Sequence, residues 1–478
     1  MKYRFLLALT FLLATSNAHS QIALDQSFGT GGVSLISNPS TGFYEKGMTL
    51  QPDGKLIVSN GAGTVSFGRL KSNGGVDAGF ASGGWVNLGN YAVGDIEVQN
   101  DGKILVTARP SIISNQDLYM WRYDSTGTLD MSFGSGGRVN DTSMAGAMER
   151  VAMGGNGKII WTGSGGMRRL NSNGSTDNTF GNLGHVVSTQ LPIYISDITT
   201  DTTTGDIYAV GITKGTGVTA IIKITSAGVL DHSFAYSGID STNYAPSAFG
   251  YVQFIHRTTS GKIVVASDYE NGGHTYTVVM QFDNNGMPDM NFGTNGVKIN
   301  NWNTTYDVFL GGMDVQQDEK IVVTANAPDT TGSGSYYDIV TQRLNTDGTE
   351  DTQLGMARLD NAGANDLASE GLVQDDGKYV IIGKSGGEQI FARYYDLMVG
   401  IDEADNTFKN IFPNPASQSF SIFSENTNES LSLFDTTGRM VLAHSLIQGK
   451  NTIDVGSLSN GVYIVHLNNS STRLIIAK

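Results

Sequence analysis

The stretch LDMSFGSGGRV, residues 129–139, decides the fold, because the chain repeats it with small changes. LDQSFGTGGVSL begins at Leu24, VDAGFASGGWV at Val76, TDNTFGNLGHV at Thr176 and PDMNFGTNGVKI at Pro288. Aligned on Asp-x-x-Phe, the element occurs as Asp25/Phe28, Asp77/Phe80, Asp130/Phe133, Asp177/Phe180, Asp231/Phe234 and Asp289/Phe292. A weaker copy is Asp351/Leu354. The first and last lie 326 residues apart over six steps, a period of about 54 residues, which is the mark of a propeller or solenoid.

Two further phrases keep the same phase. DGKLIV begins at Asp53, DGKILV at Asp101, NGKIIW at Asn156, SGKIVV at Ser260, DEKIVV at Asp318 and DGKYVII at Asp376. TTGDIYAV (203–210) fills the fourth place, with Asp206 where the others have Lys. The third phrase runs GRLKSNG, WRYDSTG, RRLNSNG, IKITSAG, MQFDNNG, QRLNTDG and a degenerate ARYYDL at 392–397. Seven copies of each phrase predict seven repeats.

A run such as Ile104-Leu105-Val106 is apolar on both faces and predicts a strand buried on both sides. The Asp-Gly or Asn-Gly before it suits a two-residue hairpin. Gly74, Gly127, Gly174, Gly228, Gly286 and Gly348 each lie three residues before the next Asp, where Gly supplies left-handed backbone. The Asp then caps the following amides as an Asx turn, and the Phe anchors the loop between neighbouring blades. Each unit therefore reads as four short strands, which favours a propeller over a solenoid. The array begins with a Phe-phrase strand and ends with an Arg-phrase strand, so the strand near Val33–Ile36 is expected to complete the last blade. The predicted fold is all-β: a seven-bladed β-propeller of about 54-residue four-stranded repeats, followed by a small β-sandwich.

Composition agrees. The 478 residues include 61 Gly and 9 Pro, and only 16% are charged. The net charge of −15, or −17 without Lys2 and Arg4, disfavours nucleic acid and anionic lipid as partners. MKYRFLLALTFLLATSNAHS (1–20) has a positive start, the apolar run Phe5–Ala14 and small residues before a cut between Ser20 and Gln21. It reads as a secretory signal peptide; a membrane span needs roughly 20 apolar residues. No other long apolar run exists, so no transmembrane segment is expected in the mature chain. The absence of cysteine removes disulfides, thiol nucleophiles and Cys-based zinc sites, leaving the core to hold an exported chain.

After Tyr395 the pattern stops. The expected organisation is a signal peptide at 1–20, the repeat array at 21–398, a polar linker at 399–410 and a second domain at 411–478. In the last, Phe420/Ile422 and Leu431/Leu433 alternate as half-buried strands do, and Asp435–Gly438 reads as a hairpin turn.

The D-x-x-F-G-x-x-G-x-V, DGK-I-x-V and RLN-x-x-G phrases of residues 24–397 resemble the delta-60 repeat of bacterial secreted proteins, a unit predicted to build propellers. Asp206, Ala235 and Leu354 depart from its pattern. The resemblance implies no established enzymatic activity and no catalytic residue. Residues 411–478 resemble the type A C-terminal sorting domain of type IX secretion substrates. Pro413-Asn414-Pro415, Phe434-Asp435-x-x-Gly438-Arg439, Gly461-Val462-Tyr463 and the final Lys478 carry that likeness. It implies the type IX machinery as a partner, passage through the periplasm, and a secreted or outer-membrane-surface location.

Chemistry is hard to find. GKSGG (383–387) matches a G-x-S-x-G elbow around Ser385, but the elbow needs a strand-to-helix turn, and the only later histidines, His444 and His466, lie in the tail. The same Gly-Lys-Ser fails as a phosphate loop, because Lys378 stands where Gly is required. DNNGMPD (283–289) and NTDGTED (345–351) cluster oxygen donors but lack the Gly and Glu of a calcium loop, so the turn reading is preferred to a weak calcium site. His256 and His274 share a repeat without a zinc spacing. No catalytic residue, metal or cofactor is therefore assigned. Trp85, Trp121, Trp161 and Trp302 are candidates for sugar stacking or for blade cores. The spans 235–254 and 325–338, rich in Tyr, Ser and Gly, suit contact. The expectation is a binding or interaction module for an extracellular glycan or protein. The alternative is a propeller enzyme, a glycoside hydrolase or lyase acting on an extracellular polysaccharide.

Overall fold

A tripeptide such as Ile104-Leu105-Val106 has no face to give to water, and in the computed structural model all three side chains are buried. The structure describes residues 22–37, 47–59, 66–111, 117–144, 149–241, 253–300, 302, 306–329, 336–352, 354–361, 363–395, 411, 413–424, 429–435, 439–467 and 470–478. The expected signal peptide, the cut at Ser20 and Gln21, the linker 399–410 and the centres of the two late spans lie outside the described residues. The chain divides into two compact units, 1–397 and 398–478.

Among the described residues the first unit holds seven four-stranded antiparallel sheets, propeller-like in their repetition. In the second of them, Tyr91–Val98 pairs with Ile104–Pro110, which pairs with Leu118–Tyr123, which pairs with Arg138–Asp141. The order follows the three phrases: the strand before the DGK turn, the strand after it, the Arg phrase, then the strand after the Phe. The two middle strands are hydrogen-bonded on both edges and buried over most of both faces, which is why their sequences are mainly apolar. The first strands of successive sheets touch one another in turn, and the last of them, Asp366–Val373, touches the first, Met48–Leu50. They form the innermost layer.

The DGK turn differs from the expected two-residue hairpin. Gln99 N donates to Lys103 O at 2.8 Å and Gly102 N to Gln99 O at 2.8 Å, which closes a loop over Asn100, Asp101 and Gly102. Gly102 sits at φ +80°, so the loop is the three-residue kind that ends in a left-handed residue. The Asp101 carboxylate takes the Lys103 N–H at 3.3 Å.

The last sheet closes with a strand from the other end of the chain, as expected. Val33–Ile36 pairs with Glu388–Tyr394, Val33 opposite Ala392 and Ile36 opposite Gln389. Asp25, just upstream, holds Arg393 at 2.9 Å.

The second unit has a two-stranded sheet, Ser419–Ser424 with Gly449–Asp454, and a four-stranded sheet. In the latter the order is Met440–Leu446, Glu429–Asp435, Gly461–Leu467, Ser470–Ile476. The alternation read from sequence holds: Phe420, Ile422, Leu431 and Leu433 are buried together with Ile453, Val465 and Leu474. Asp435 N donates to Arg439 O at 2.9 Å across a turn whose centre is outside the described residues.

Deleting residues 22–37 would leave Glu388–Tyr394 as an open edge and Arg393 without its carboxylate. The expected result is self-association in size-exclusion chromatography and a lower urea midpoint. Deleting 411–478 should leave the midpoint of the first unit unchanged.

Candidate functional site: blade corners and acidic inner strands

The repeated Asp is consumed by structure. Arg69 Nε meets Asp77 Oδ2 at 2.9 Å, Arg122 meets Asp130 at 2.9 Å and Arg169 meets Asp177 at 2.8 Å. Arg343 Nη2 meets Asp351 at 2.7 Å, and Arg393 Nη2 meets Asp25 at 2.9 Å. The fourth repeat places Lys223 in the arginine's position, 3.3 Å from Asp231; in the fifth Gln281 stands there, and Lys262 of the SGK turn meets Asp289 at 2.7 Å. The second carboxylate oxygen caps the turn, as Asp130 Oδ1 does for Ser132 N at 3.0 Å. The Ser132 hydroxyl contributes most to holding the Asp130 carboxyl below the ordinary carboxylate range, against burial and with help from Lys103 and Arg122.

The corner also reaches the next sheet. The Arg122 guanidinium lies 4.6 Å from the Phe133 ring centre, and Nη1 donates to Ser172 O in the following repeat. Gly134 N donates to Asn173 O at 2.9 Å. A Cβ on Gly174, whose φ is +83°, would come within 2.9 Å of the Phe133 ring. Glycine is therefore required twice over, by its backbone and by the ring packed on it. The Phe is the inter-blade anchor that the sequence suggested. The arginine of the third phrase is the partner of the corner Asp, a role its sequence position alone does not disclose.

The innermost strands carry a second set of carboxylates that sequence reasoning missed. Asp95 Oδ2 accepts Val151 N at 2.9 Å, Asp197 Oδ2 accepts Ile255 N at 3.1 Å, and Asp314 Oδ2 accepts Val373 N at 2.7 Å. Glu370 Oε2 accepts Gly47 N at 2.8 Å and Met48 N at 2.9 Å. Each of these bonds runs from one sheet to the next. A signal existed: Asp95, Asp197 and Glu370 each stand four residues before the turn residue Gln99, Asp201 or Gln374.

Around them sit groups held near neutrality. Burial, with the Asp95 and Glu370 carboxylates, pushes Glu97 up to about 8. Burial raises Asp95 to about 6 against the pull of Arg150, and Glu149 to about 7 against Arg109 and Arg150. Arg109 Nη1 stands 3.6 Å from Glu149, and Arg150 Nε 3.5 Å from Asp197.

The residues singled out in the sequence are dispersed. Ser385 ends the strand Tyr379–Ser385, buried, and its hydroxyl accepts from Asn361 Nδ2 at 2.8 Å; a strand-to-strand hairpin replaces the elbow. His256 faces Asp314 at 3.1 Å and His274 faces Asp307 at 3.5 Å, so the two do not converge. Trp121, Trp161 and Trp302 are buried, and Trp85 lies against Gly68. In DNNGMPD, Asp283 Oδ1 takes the N–H groups of Asn285 and Met287, both at 2.9 Å; in NTDGTED, Asp347 Oδ1 takes that of Thr349 at 2.9 Å. Those oxygens serve turns. Among the described residues the exposed aromatics are Tyr194, Tyr236, Tyr306, Phe309, Tyr336 and Tyr395. Tyr194 borders an apolar cavity of about 230 Å³ lined by Gly163, Leu191, Ile193, Ile195 and Ile212, with Lys214 Nζ 5.0 Å from its ring.

In the tail, the motif residues are hydrogen-bonded into the fold. Asn414 Oδ1 accepts Ile475 N at 2.8 Å, Tyr463 OH donates to Ser459 O at 2.9 Å, and Lys478 Nζ donates to Gly456 O and Leu458 O.

Comparison with known proteins agrees with this division. The family described as "Secretion system C-terminal sorting domain" matches residues 410–478. The "Domain of unknown function (DUF5122) beta-propeller" matches residues 99–133, 155–180 and 259–292. The chain is thus a β-propeller protein with a C-terminal type IX secretion sorting domain. That domain directs it through the periplasm to the cell surface. Among the described residues no helix is long and apolar enough to cross a membrane. No curated protein matches the chain. Similar solved structures include PorZ of Porphyromonas gingivalis, described as an essential surface component of the type-IX secretion system. Identity there is 12%, covering 89% of this chain and 64% of that one, less than two thirds of its length, with a TM-score of 0.29. Drosophila Plexin A, solved with Semaphorin 1b, shows 9% identity over 78% of this chain and 88% of that one, with a TM-score of 0.43. The NanB sialidase from Streptococcus pneumoniae shows 11% over 77% and 70%, with a TM-score of 0.37.

Replacing Arg343 by Ala removes the guanidinium from the buried Asp351, which keeps Lys320 Nζ at 3.0 Å, and is expected to cost about 2–4 kcal/mol in urea unfolding. Lys298→Ala, which removes the outer pair with Glu350, should cost about 1 kcal/mol or less.

Stability should also depend on pH in two limbs. Glu97, Glu149 and Asp95 bind protons more tightly folded than unfolded, so their contribution falls as pH rises through their folded values. The corner carboxylates, Asp130 among them, contribute above the unfolded carboxylate range and lose that contribution as pH falls. Glu97→Gln should shrink the stability lost between about pH 5 and about pH 8 by about 1–3 kcal/mol, measured by urea titration at each pH.

Proposed function

We propose that this chain is an exported, non-catalytic binding module. In this reading residues 21–398 form a seven-bladed β-propeller and residues 411–478 a small β-sandwich that is read by the type IX machinery. The ligand is an extracellular glycan or protein. One observation carries it: the innermost carboxylates Asp95, Asp197, Asp314 and Glu370 are spent on backbone N–H groups of the next sheet, so they act as joints instead of facing one another across a substrate. Exposed tyrosines and the apolar cavity beside Tyr194 supply contact surface of the kind that stacks on sugar rings or side chains.

The enzyme reading rests on a different observation. Glu97 and Glu149 are carboxyls raised into the range a general acid needs, as in a polysaccharide hydrolase or lyase.

The two readings separate on a glycan and polysaccharide array probed with the mature chain, followed by product-release assays on every hit. Binding without turnover, weakened by Tyr194→Ala and unaffected by Glu97→Gln, is the expected outcome. Turnover abolished by Glu97→Gln or Glu149→Gln would replace the binding reading with the enzymatic one.

A further inference from the structure

Asp338, Asp360 and Asp366 place one carboxylate oxygen each within 4.8 Å of one another. They come from three places in the chain: the start of Tyr337–Leu344, the residue after Met356–Leu359, and the start of Asp366–Val373. Asp338 and Asp366 are buried and Asp360 is exposed. One oxygen of each is already oriented by a donor. Arg358 Nη1 holds Asp338 Oδ2 at 2.7 Å, Gly363 N holds Asp360 Oδ1 at 2.9 Å, and Asn361 N holds Asp366 Oδ2 at 2.6 Å. Metal-binding carboxylates are fixed in this way by an outer layer of hydrogen bonds.

The remaining oxygen of Asp366 is the informative atom. Asp366 has no exposed surface, and its Oδ1 has no hydrogen-bond donor. A buried carboxylate oxygen without a partner is costly, and two further carboxylates beside it make the cost larger. Arg358 offsets one of the three charges and leaves the cluster at about −2. A positive charge among these oxygens relieves both the repulsion and the missing bond.

We propose that Asp338, Asp360 and Asp366 bind a calcium ion at this end of the last two sheets. An all-oxygen, carboxylate-rich set selects a hard cation over zinc or copper, which prefer nitrogen or sulfur. Calcium is favoured over magnesium because one ligand, Asp360, is exposed, and calcium tolerates an irregular shell completed by water. The site differs from DNNGMPD and NTDGTED, whose carboxylates Asp283 and Asp347 cap their own turns. It also stands whether the propeller binds or hydrolyses its ligand.

The test uses the mature chain stripped with chelator, titrated with calcium by calorimetry and followed by thermal unfolding. One calcium per chain is expected, with a dissociation constant of about 10⁻⁴–10⁻³ M as in extracellular modules, and a rise in the unfolding midpoint. Asp360→Asn alters an exposed side chain, should fold normally, and should weaken calcium binding about tenfold or more. Asp366→Asn should abolish it. Asp347→Asn should leave it unchanged. The proposal is overturned by the absence of heat and midpoint shift at about 10 mM calcium, by Asp360→Asn binding as the parent does, or by magnesium binding equally well.

Discussion

Four of the seven sheets are locked by a joint in which a buried arginine, an aspartate, a phenylalanine ring and a left-handed glycine meet, and the other three keep the aspartate with an altered partner. Arg122, Asp130, Phe133 and Gly174 are one example, and Arg393, Asp25, Phe28 and Gly74 another. The aspartate divides its two oxygens between the arginine of its own sheet and the amide that closes the corner. The arginine divides its nitrogens between that aspartate and a carbonyl of the next sheet. Neither charge is left uncompensated, which is what makes burial of an ion pair tolerable. The ring covers the guanidinium and rests on a glycine that no larger residue could replace. Tight registration between sheets thus comes from a few residues repeated, in a chain that has no cysteine with which to cross-link itself.

The inner strands solve the same problem by other means. On the innermost strands, backbone amides at the strand edges need acceptors. Asp95, Asp197, Asp314 and Glu370 provide them. The consequence is an acidic interior whose carboxyls differ in their proton affinity: those with two N–H donors or a close arginine stay charged more easily than Glu97, which has Asp95 and Glu370 as neighbours. Acidity in the innermost layer is therefore first a matter of assembly. Any chemistry there would have to be built on groups such as Glu97 and Glu149 that the joints leave over.

The exported state and the fold are linked. An exported chain without cysteine must form its closure without help from a disulfide. Pairing Val33–Ile36 with Glu388–Tyr394 does this with backbone hydrogen bonds and the Asp25–Arg393 pair. In the sorting domain, the terminal Lys478 ammonium bonds two carbonyls of the 456–458 turn, so the last residue of the chain is part of that domain's fold.

Much of this was legible in the sequence. The period, the three phrases, the doubly buried middle strands, the corner role of Asp-x-x-Phe and the swap of Val33–Ile36 into the last sheet follow from spacing and from the alternation of apolar and turn residues. Those are local constraints, set by backbone geometry and by which faces are denied water. Asp-Gly at DGK suits a two-residue hairpin, but the preceding Asn100 or Pro52 belongs to the loop as well, and only the hydrogen bonds reveal it. Tertiary structure alone decided which charges meet. Asp95 and Val151, Asp314 and Val373, and the trio Asp338, Asp360 and Asp366 are brought together by the stacking of sheets, across separations no local pattern encodes. The sequence by itself determined the architecture, because repetition and burial are written in short windows. The partners of its acids were decided by the ring, because a carboxylate's role depends on what is packed against it from the neighbouring sheet.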